Sequence, residues 1–531
     1  MNMRNFHRIA AFLLALLLSV GILSGCGQEP SAPAEQTTEQ TTEQTESEST
    51  ETEGEFGLAY VAEYGMNPYR CTCITNRPII SLVFESLFTV NEVFQPEPLL
   101  CDKFGVSEDG MTYLLTLRQE ARFSDGSPVT AQDVVSSLRA ASNSAYYGDR
   151  FHFVRSFSAA DTYTVRIDLT TPYETLPLLL DVAICKDGTA DTPKPVGSGP
   201  FRMTASNRRL NRVEDWWQGK APVIDCAYIT LQNVKKPIEV RDSFEFGTTN
   251  LVLADPNSAA SVGYRCDYEL WNCNTTVMQY LGFNTARGAF SSRELRRAVT
   301  WLVDRDTACA KIFNGFAMPT VLPCSPQCGL YDKELAARYA YAPTSFAEWR
   351  KTAGLPTGTK AELVVWSADY SRVELANLIA DTLSAYGIGV EVNAVDYEQY
   401  KSRLRSGNFD LFIGEVRLSD NFDLTEFFAA DGDLNFGSIT NSEAYQAALN
   451  MLANSGNSYD LYELILQSGL ICPVLFKSYA VMVTRGSISA LQPAVDNVIH
   501  LPGGRTLADA AVTYEELTNR PTEETAPTAE P

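Results

Sequence analysis

Apolar positions recur along this chain with two different periods, and the places where one period gives way to the other mark out its elements. Tyr113 to Leu117 is a short apolar run predicted as a strand, and Phe123-Ser124-Asp125-Gly126-Ser127-Pro128 supplies the polar, Gly- and Pro-marked turn that follows. Thr130 and Asp133 then stand at capping-box spacing, ahead of Val134, Val135 and Leu138, which predict one apolar helix face. A second unit is clearer. Glu362 to Trp366 is predicted as a strand, Arg372 to Tyr386 as an amphipathic helix, Gly387-Ile388-Gly389 as its stop and Val390 to Val395 as the next strand. Tyr397 to Ser406 makes another helix and Phe409 to Gly414 another strand. Strand, helix, strand at this spacing is a β-α-β crossover, so parallel pairing and an α/β lobe are expected. The chain shows no internal repeat, and 531 residues are enough for two or three domains.

The two ends depart from this pattern. Arg4 and Arg8 precede an apolar run from Ile9 to Ile22 that closes on Leu23-Ser24-Gly25-Cys26. The run is short for a membrane span, and its charged start and small-residue end predict a secretory signal over residues 1–25, hence export. Residues 29–55 are mostly Glu, Gln, Thr and Ser, too poor in apolar side chains to offset the entropy of ordering. A disordered tether over 26–56 is expected, and a similar tail over 515–531.

Charge changes the picture once the ends are set aside. The chain carries a net charge of −23, but residues 57–514 carry only about −12, an ordinary solubilising charge. No basic patch or interleaving of Arg with aromatic residues suggests nucleic acid. Eleven cysteines follow Cys26, and an odd number cannot pair completely within one chain. Cys71/Cys73, Cys266/Cys273 and Cys324/Cys328 lie close in sequence, and both local disulfides and free buried thiols fit them. None of these spacings is a C-x-x-C pair and histidine is scarce, so no metal or cofactor is expected.

Several motifs then follow one another along the body. Leu117-Arg118 runs through Phe123-Ser124-Asp125-Gly126-Ser127-Pro128-Val129-Thr130-Ala131-Gln132-Asp133-Val134; Met66-Asn67-Pro68 and Val83-Phe84-Glu85-Ser86-Leu87 precede it, and Pro195-Val196-Gly197-Ser198-Gly199-Pro200-Phe201 follows. Gly282-Phe283-Asn284-Thr285, Leu295-Arg296-Arg297-Ala298-Val299, Val303-Asp304-Arg305 and Gly407-Asn408-Phe409-Asp410-Leu411 complete the series. In this order the motifs resemble the large peptide and nickel class of ABC-importer solute-binding proteins, over nearly all of residues 57–510. The resemblance implies an α/β, two-lobed periplasmic-binding-protein-like fold of type II, with an extra domain inserted into the first lobe and solute held between the lobes. It sets the first lobe at 57–88, 196–275 and 478–514, the insertion at 89–195 and the second lobe at 276–477. Gly197 and Gly199 read as a domain crossing rather than a phosphate loop, since no Lys-Ser/Thr follows. Cys26 after Leu-Ser-Gly resembles the lipobox of bacterial lipoproteins, which implies lipid attachment and a place on the outer face of the cell membrane.

The same resemblance points to site residues. Peptide-binding members pair the peptide α-ammonium with an Asp after the Phe-Asp-Leu strand, and counting back from Phe427-Phe428 puts Asp420 at that position. An ammonium entering a desolvated cleft must be paired, which a charge-assisted hydrogen bond achieves; equally, Asp420 or Asp423 would cap the helix that follows. Arg417 stands where the family usually has Trp, and Leu424 replaces a Pro. Arg417 would either neutralise Asp420 or bind a solute carboxylate. Thr72, Cys73 and Ile74 fall where such members lend main-chain groups to an extended ligand. Tyr280 is a further cleft candidate, with a packed core tyrosine as the alternative.

An enzyme is the main competing class, and the inventory opposes it. Histidine occurs only at positions 7, 152 and 500, and no H-E-x-x-H, G-x-S-x-G or Walker loop is present. The expected role is therefore capture of a solute, foremost a short peptide, by a monomeric receptor that delivers it to ABC permease subunits. Nickel chelates, oligosaccharides, haem and a sensed signalling peptide are the alternative solutes.

Overall fold

The computed structural model describes residues 56–204, 206, 208–255, 264–353, 358–453 and 458–518. The expected signal (1–25), Cys26, all of the tether but residue 56, and residues 519–531 of the expected tail lie outside them. In chain order the first strands are β1 (Phe56–Tyr60), β2 (Phe88–Val90), β3 (Pro96–Pro98), β4 (Cys101–Val106), β5 (Thr112–Leu117), β6 (Val154–Ala159) and β7 (Thr164–Leu169). Then come β8 (Phe201–Met203), β9 (Arg209–Arg212), β10 (Tyr228–Asn233), β11 (Leu251–Ala254) and β12 (Tyr268–Phe283). The last are β13 (Ala317–Pro319), β14 (Thr359–Trp366), β15 (Ile388–Val395), β16 (Leu411–Arg417) and β17 (Ile471–Thr484). One large sheet has the order β15-β14-β16-β12-β17-β11-β1-β10-β9-β8, with β13 pairing on β17.

Two long antiparallel strands, β12 and β17, carry this sheet from one half of the molecule to the other. Tyr268 pairs with Thr484 at one end and Gly282 with Ile471 at the other, with the main register break between Asn274 and Met278 and a second shift between Gln279 and Tyr280. The break frees backbone groups that other atoms must satisfy. The Val277 N–H donates to Thr275 Oγ1 at 3.0 Å, the Thr275 hydroxyl to the Lys477 carbonyl at 2.7 Å, and the Thr276 N–H to Asp496 at 3.3 Å.

Beyond the break, β14 pairs in parallel with both β15 and β16. Asp369 caps the connecting helix Tyr370–Ala385 through the Arg372 N–H, and Gly387, at φ 85°, ends it in a conformation that a side chain would strain. The expected helix over 397–406 is present with those bounds.

A separate antiparallel sheet, β4-β5-β7-β6, packs against the helix Ala131–Ser142. The capping box forms as the spacing predicts: the Thr130 N–H donates to Asp133 at 2.9 Å, while the other carboxylate oxygen of Asp133 accepts the Asp187 N–H at 2.8 Å. Gly197 and Gly199 cross hard against the helix Arg77–Val83, where an added Cβ would lie 2.0 Å from the Val83 carbonyl oxygen and 2.5 Å from that of Leu82. The C-terminal run differs from expectation. Ala511 bridges to Phe104, Arg505 pairs with Asp102, and a helix Tyr514–Thr518 packs along β4 with Leu517 buried. Buried apolar contact thus extends order four residues past 514 and ties residues 505–518 to the four-stranded sheet. All eleven described cysteines are free thiols, eight of them buried.

Asp133 serves two backbone donors, so Asp133→Ala should lower stability by about 1–2 kcal/mol. Urea denaturation should show a lower midpoint with an unchanged slope.

Candidate functional site

Strand β16 ends at Arg417, and the loop that follows meets Phe94, Tyr173 and Thr175. Its turn closes through the Phe422 N–H to the Ser419 carbonyl at 2.9 Å, with Phe422 held at φ 55°. Phe422 is fully buried between Phe94 and Phe476, at ring separations of 4.9 Å and 5.8 Å. Asn421 donates to the Tyr173 hydroxyl at 2.9 Å and to Thr175 at 3.0 Å, and the Tyr173 hydroxyl donates to Asp423 at 3.2 Å. Asp423 also accepts the Thr425 N–H at the start of the helix Thr425–Phe428. The helix start is thereby served by Asp423, which leaves Asp420 free of that duty.

Asp420 is only 3% exposed, and its one ion-pair partner within 4 Å among the described residues is Arg150, at 3.5 Å. Arg150 has a tighter partner in Asp181, at 2.6 Å. One guanidinium is therefore shared by two carboxylates, and Asp420 receives the weaker part. Burial pushes the Asp420 carboxyl up to about 8; Arg150 and Arg417 oppose this, and Asp181 and Asp496 add to it.

Beside Arg150 lies a cavity of about 100 Å³ between the helix Arg77–Val83, the 146–150 segment and residues 495–501. Its polar wall includes Arg77, Glu85, Tyr147, Asp181 and Asp496. The Arg77 guanidinium lies 4.0 Å over the Tyr146 ring and donates to the Tyr147 hydroxyl at 3.4 Å. Trp217 donates to Glu85 at 2.6 Å and Gln218 donates to its second oxygen; burial still lifts this carboxyl to about 7.

Arg417 does not pair with Asp420. It is held by Asp496 and by the Tyr479 hydroxyl at 3.0 Å, and Asp496 is the same residue that accepts the Thr276 N–H at the strand irregularity. The cation at Asp420 is instead Arg150, 270 positions earlier in the chain. Thr72 lines an adjoining open depression of about 380 Å³ that shares Tyr146 with the cavity. Cys73 is extended and its carbonyl accepts the Asn76 N–H at 3.1 Å, while Ile74 opens a short 3-10 turn. Tyr280 is buried edge-on against Phe412 and Phe427 and lies outside the cavity lining. Arg77, Arg150, Asp181 and Asp496 are not marked out by the sequence. No motif marks them, and only the tertiary fold brings them together.

A sheet shared between two halves by two long crossing strands defines a two-lobed fold of the solute-binding type. Residues 95–432, more than half of the chain, match the family model described as bacterial extracellular solute-binding proteins, family 5, and the chain belongs to that family. It is 23% identical over 353 residues to the glutathione-binding protein GsiB of Shigella flexneri serotype 5b (strain 8401), covering 63% of this chain and 68% of GsiB. Among solved structures, the ABC transporter substrate binding protein CtaP of Listeria monocytogenes matches with a TM-score of 0.70 at 17% identity, over 87% of this chain and 99% of CtaP. NikA from Brucella suis, in complex with Fe(III)-EDTA, matches with a TM-score of 0.65 at 17% identity, over 84% of this chain and 98% of NikA. The family is one of extracytoplasmic solute receptors of ABC transporters, not of enzymes. No helix among the described residues is long and apolar enough to cross a membrane.

The raised Asp420 carboxyl has a stability consequence. Between its ordinary value near 3.8 and about 8, the folded protein holds a proton that the unfolded chain has released, so this group's contribution to stability falls as pH rises through that window. In Asp420→Asn that contribution is absent. Chemical denaturation at pH 5 and pH 8.5 should show a smaller loss of stability in the variant than in the wild type.

Proposed function

We propose that the protein captures short peptides in this cleft, with the peptide ammonium on Asp420, and delivers them to the membrane subunits of an ABC importer. The observation that carries the reading is the state of Asp420: a buried carboxyl whose one nearby cation is more tightly engaged elsewhere. A primary ammonium supplies the missing charge and three donors. Its arrival turns the protonated carboxyl into a carboxylate, while Arg150 keeps Asp181. Names among the relatives are compatible with this class: one binds glutathione, and another is a periplasmic murein tripeptide binding protein. The NikA complex with Fe(III)-EDTA keeps chelated metal as the second reading. Membrane attachment through a lipid on Cys26 completes the proposal.

Calorimetry with tripeptides of free and acetylated N-termini tests the site. Acetylation should weaken binding to the wild type about thirtyfold or more and should make little difference to Asp420→Asn. Affinity for the free peptide should rise with pH between 6 and 8, by at most about tenfold per unit. Equal affinity for both peptides in the wild type would sink the ammonium assignment. For the anchor, cells given labelled palmitate should label the wild type, and Cys26→Ser should be unlabelled and recovered in the soluble fraction.

A further inference from the structure

At the main register break the two long strands lose their match: Thr275, Thr276 and Val277 of β12 stand opposite Lys477 alone of β17. Three residues against one leave backbone groups that the ladder cannot serve. Thr275 covers part of the gap with its own hydroxyl, which accepts the Val277 N–H at 3.0 Å. The Thr276 carbonyl accepts the Leu418 N–H at 3.1 Å. The Thr276 N–H goes to a side chain from far along the chain, Asp496, at 3.3 Å, and its hydroxyl donates to the same oxygen at 3.3 Å.

The backbone around Asp496 is shaped to reach that place. Its turn closes with the Ala494 N–H on the Asn497 carbonyl at 2.8 Å, and Asp496 itself has φ 54°, a left-handed value that Asp and Asn adopt more readily than most residues. The turn is fastened to β12, since the Asp496 N–H donates to the Asn274 carbonyl at 2.8 Å and the Cys273 thiol to the Ala494 carbonyl at 3.3 Å. Asp496 therefore bonds β12 on both sides of Thr275, by its backbone to 274 and by its side chain to 276. Its other carboxylate oxygen takes Arg417, at the end of β16, and that guanidinium also donates to the Tyr479 hydroxyl of β17 at 3.0 Å. Arg417 lines a cavity of about 310 Å³ together with Thr275, Val277, Glu415, Lys477 and Tyr479. A solute group entering there meets the cation that holds Asp496. Without that cation the carboxylate would be drawn to water and would keep the Thr276 N–H less firmly.

We infer that Asp496 is a positioning residue for solute capture. It stands in for the missing strand partner at the bend, and Arg417 holds its carboxylate in place, so the charge surroundings of Arg417 in the cavity set how freely the two halves move. The inference rests on the fold and not on the ammonium assignment at Asp420.

Hydrogen exchange on the ligand-free protein tests it over residues 275–278. Asp496→Gly keeps the left-handed turn and removes the carboxylate, and should speed exchange there about tenfold or more. Asp496→Asn keeps an oxygen for the Thr276 N–H but not the ion pair, and Arg417→Gln removes the same pair from the other side. Each should speed exchange about threefold, and the double variant no more than either alone. Exchange in the rest of β12 and β17 should stay at the wild-type rate. The ligand-free radius of gyration from X-ray scattering should be larger in Asp496→Gly than in the wild type. Unchanged exchange or an unchanged radius in Asp496→Gly, or equal speeding along the whole of both strands, overturns the positioning role. Additive effects of the Asn and Gln variants overturn the coupling through Arg417, and these two conservative variants keep the inference testable if Asp496→Gly misfolds.

Discussion

The pairing of β12 with β17 is the constraint on which the rest depends. Each strand is long enough to serve both halves of the molecule, at 16 and 14 residues, so the halves are not independent bodies joined by a flexible linker. Their relative position is set by a ladder whose register shifts between Asn274 and Met278 and again between Gln279 and Tyr280, the first being the wider gap. A broken ladder bends more readily than an intact one, because fewer backbone hydrogen bonds must be kept. Asp496 joins that place to the cleft, since one of its carboxylate oxygens takes the Thr276 N–H and the other takes Arg417. A change in the charge around Arg417 therefore reaches the backbone at the bend through a single side chain.

Along the seam the charges nearly balance, and the small imbalance is what gives the site its chemistry. Arg150 faces two carboxylates and satisfies one better, while Arg77 faces none. Buried charges in such surroundings are stabilised by partners or lose their charge.

How much of this was legible in the sequence depended on the range of the interactions. The β14 to β16 region could be read almost residue by residue, because helix stops, caps and apolar periods act over a few positions, as Asp369, Gly387 and the 397–406 helix illustrate. The capping box at Thr130 and Asp133 was legible for the same reason. Asp420 could be located by its distance from Phe427-Phe428, but its partner could not. Arg150 sits in a 3-10 turn of an irregular segment and carries no local signal. Nearness in sequence makes Arg417 a candidate either to neutralise Asp420 or to bind a solute carboxylate. Its place at the end of β16 sends it to Asp496 instead. Tyr280 shows the complementary difficulty: residues on a long strand alternate between faces, and the sequence does not say which face of a two-lobed sheet is core. The ordered helix at 514–518 is not legible in the sequence because five polar-rich residues owe their order to β4 rather than to their own composition.

Phe94 and Phe422 are both held in the left-handed region, at φ 61° and 55°, and their rings meet across the seam. Bulky side chains occupy that region at a cost of about 1–3 kcal/mol each, tolerated here because the rings are buried together. Each conformation is set within its own tight turn, by the Phe94 N–H on the Asn91 carbonyl at 3.1 Å and the Phe422 N–H on the Ser419 carbonyl at 2.9 Å. Two turns more than 300 positions apart in sequence thus present their rings to each other as fixed studs, so the contact between these two parts of the chain is positioned by local backbone geometry rather than by side-chain adjustment.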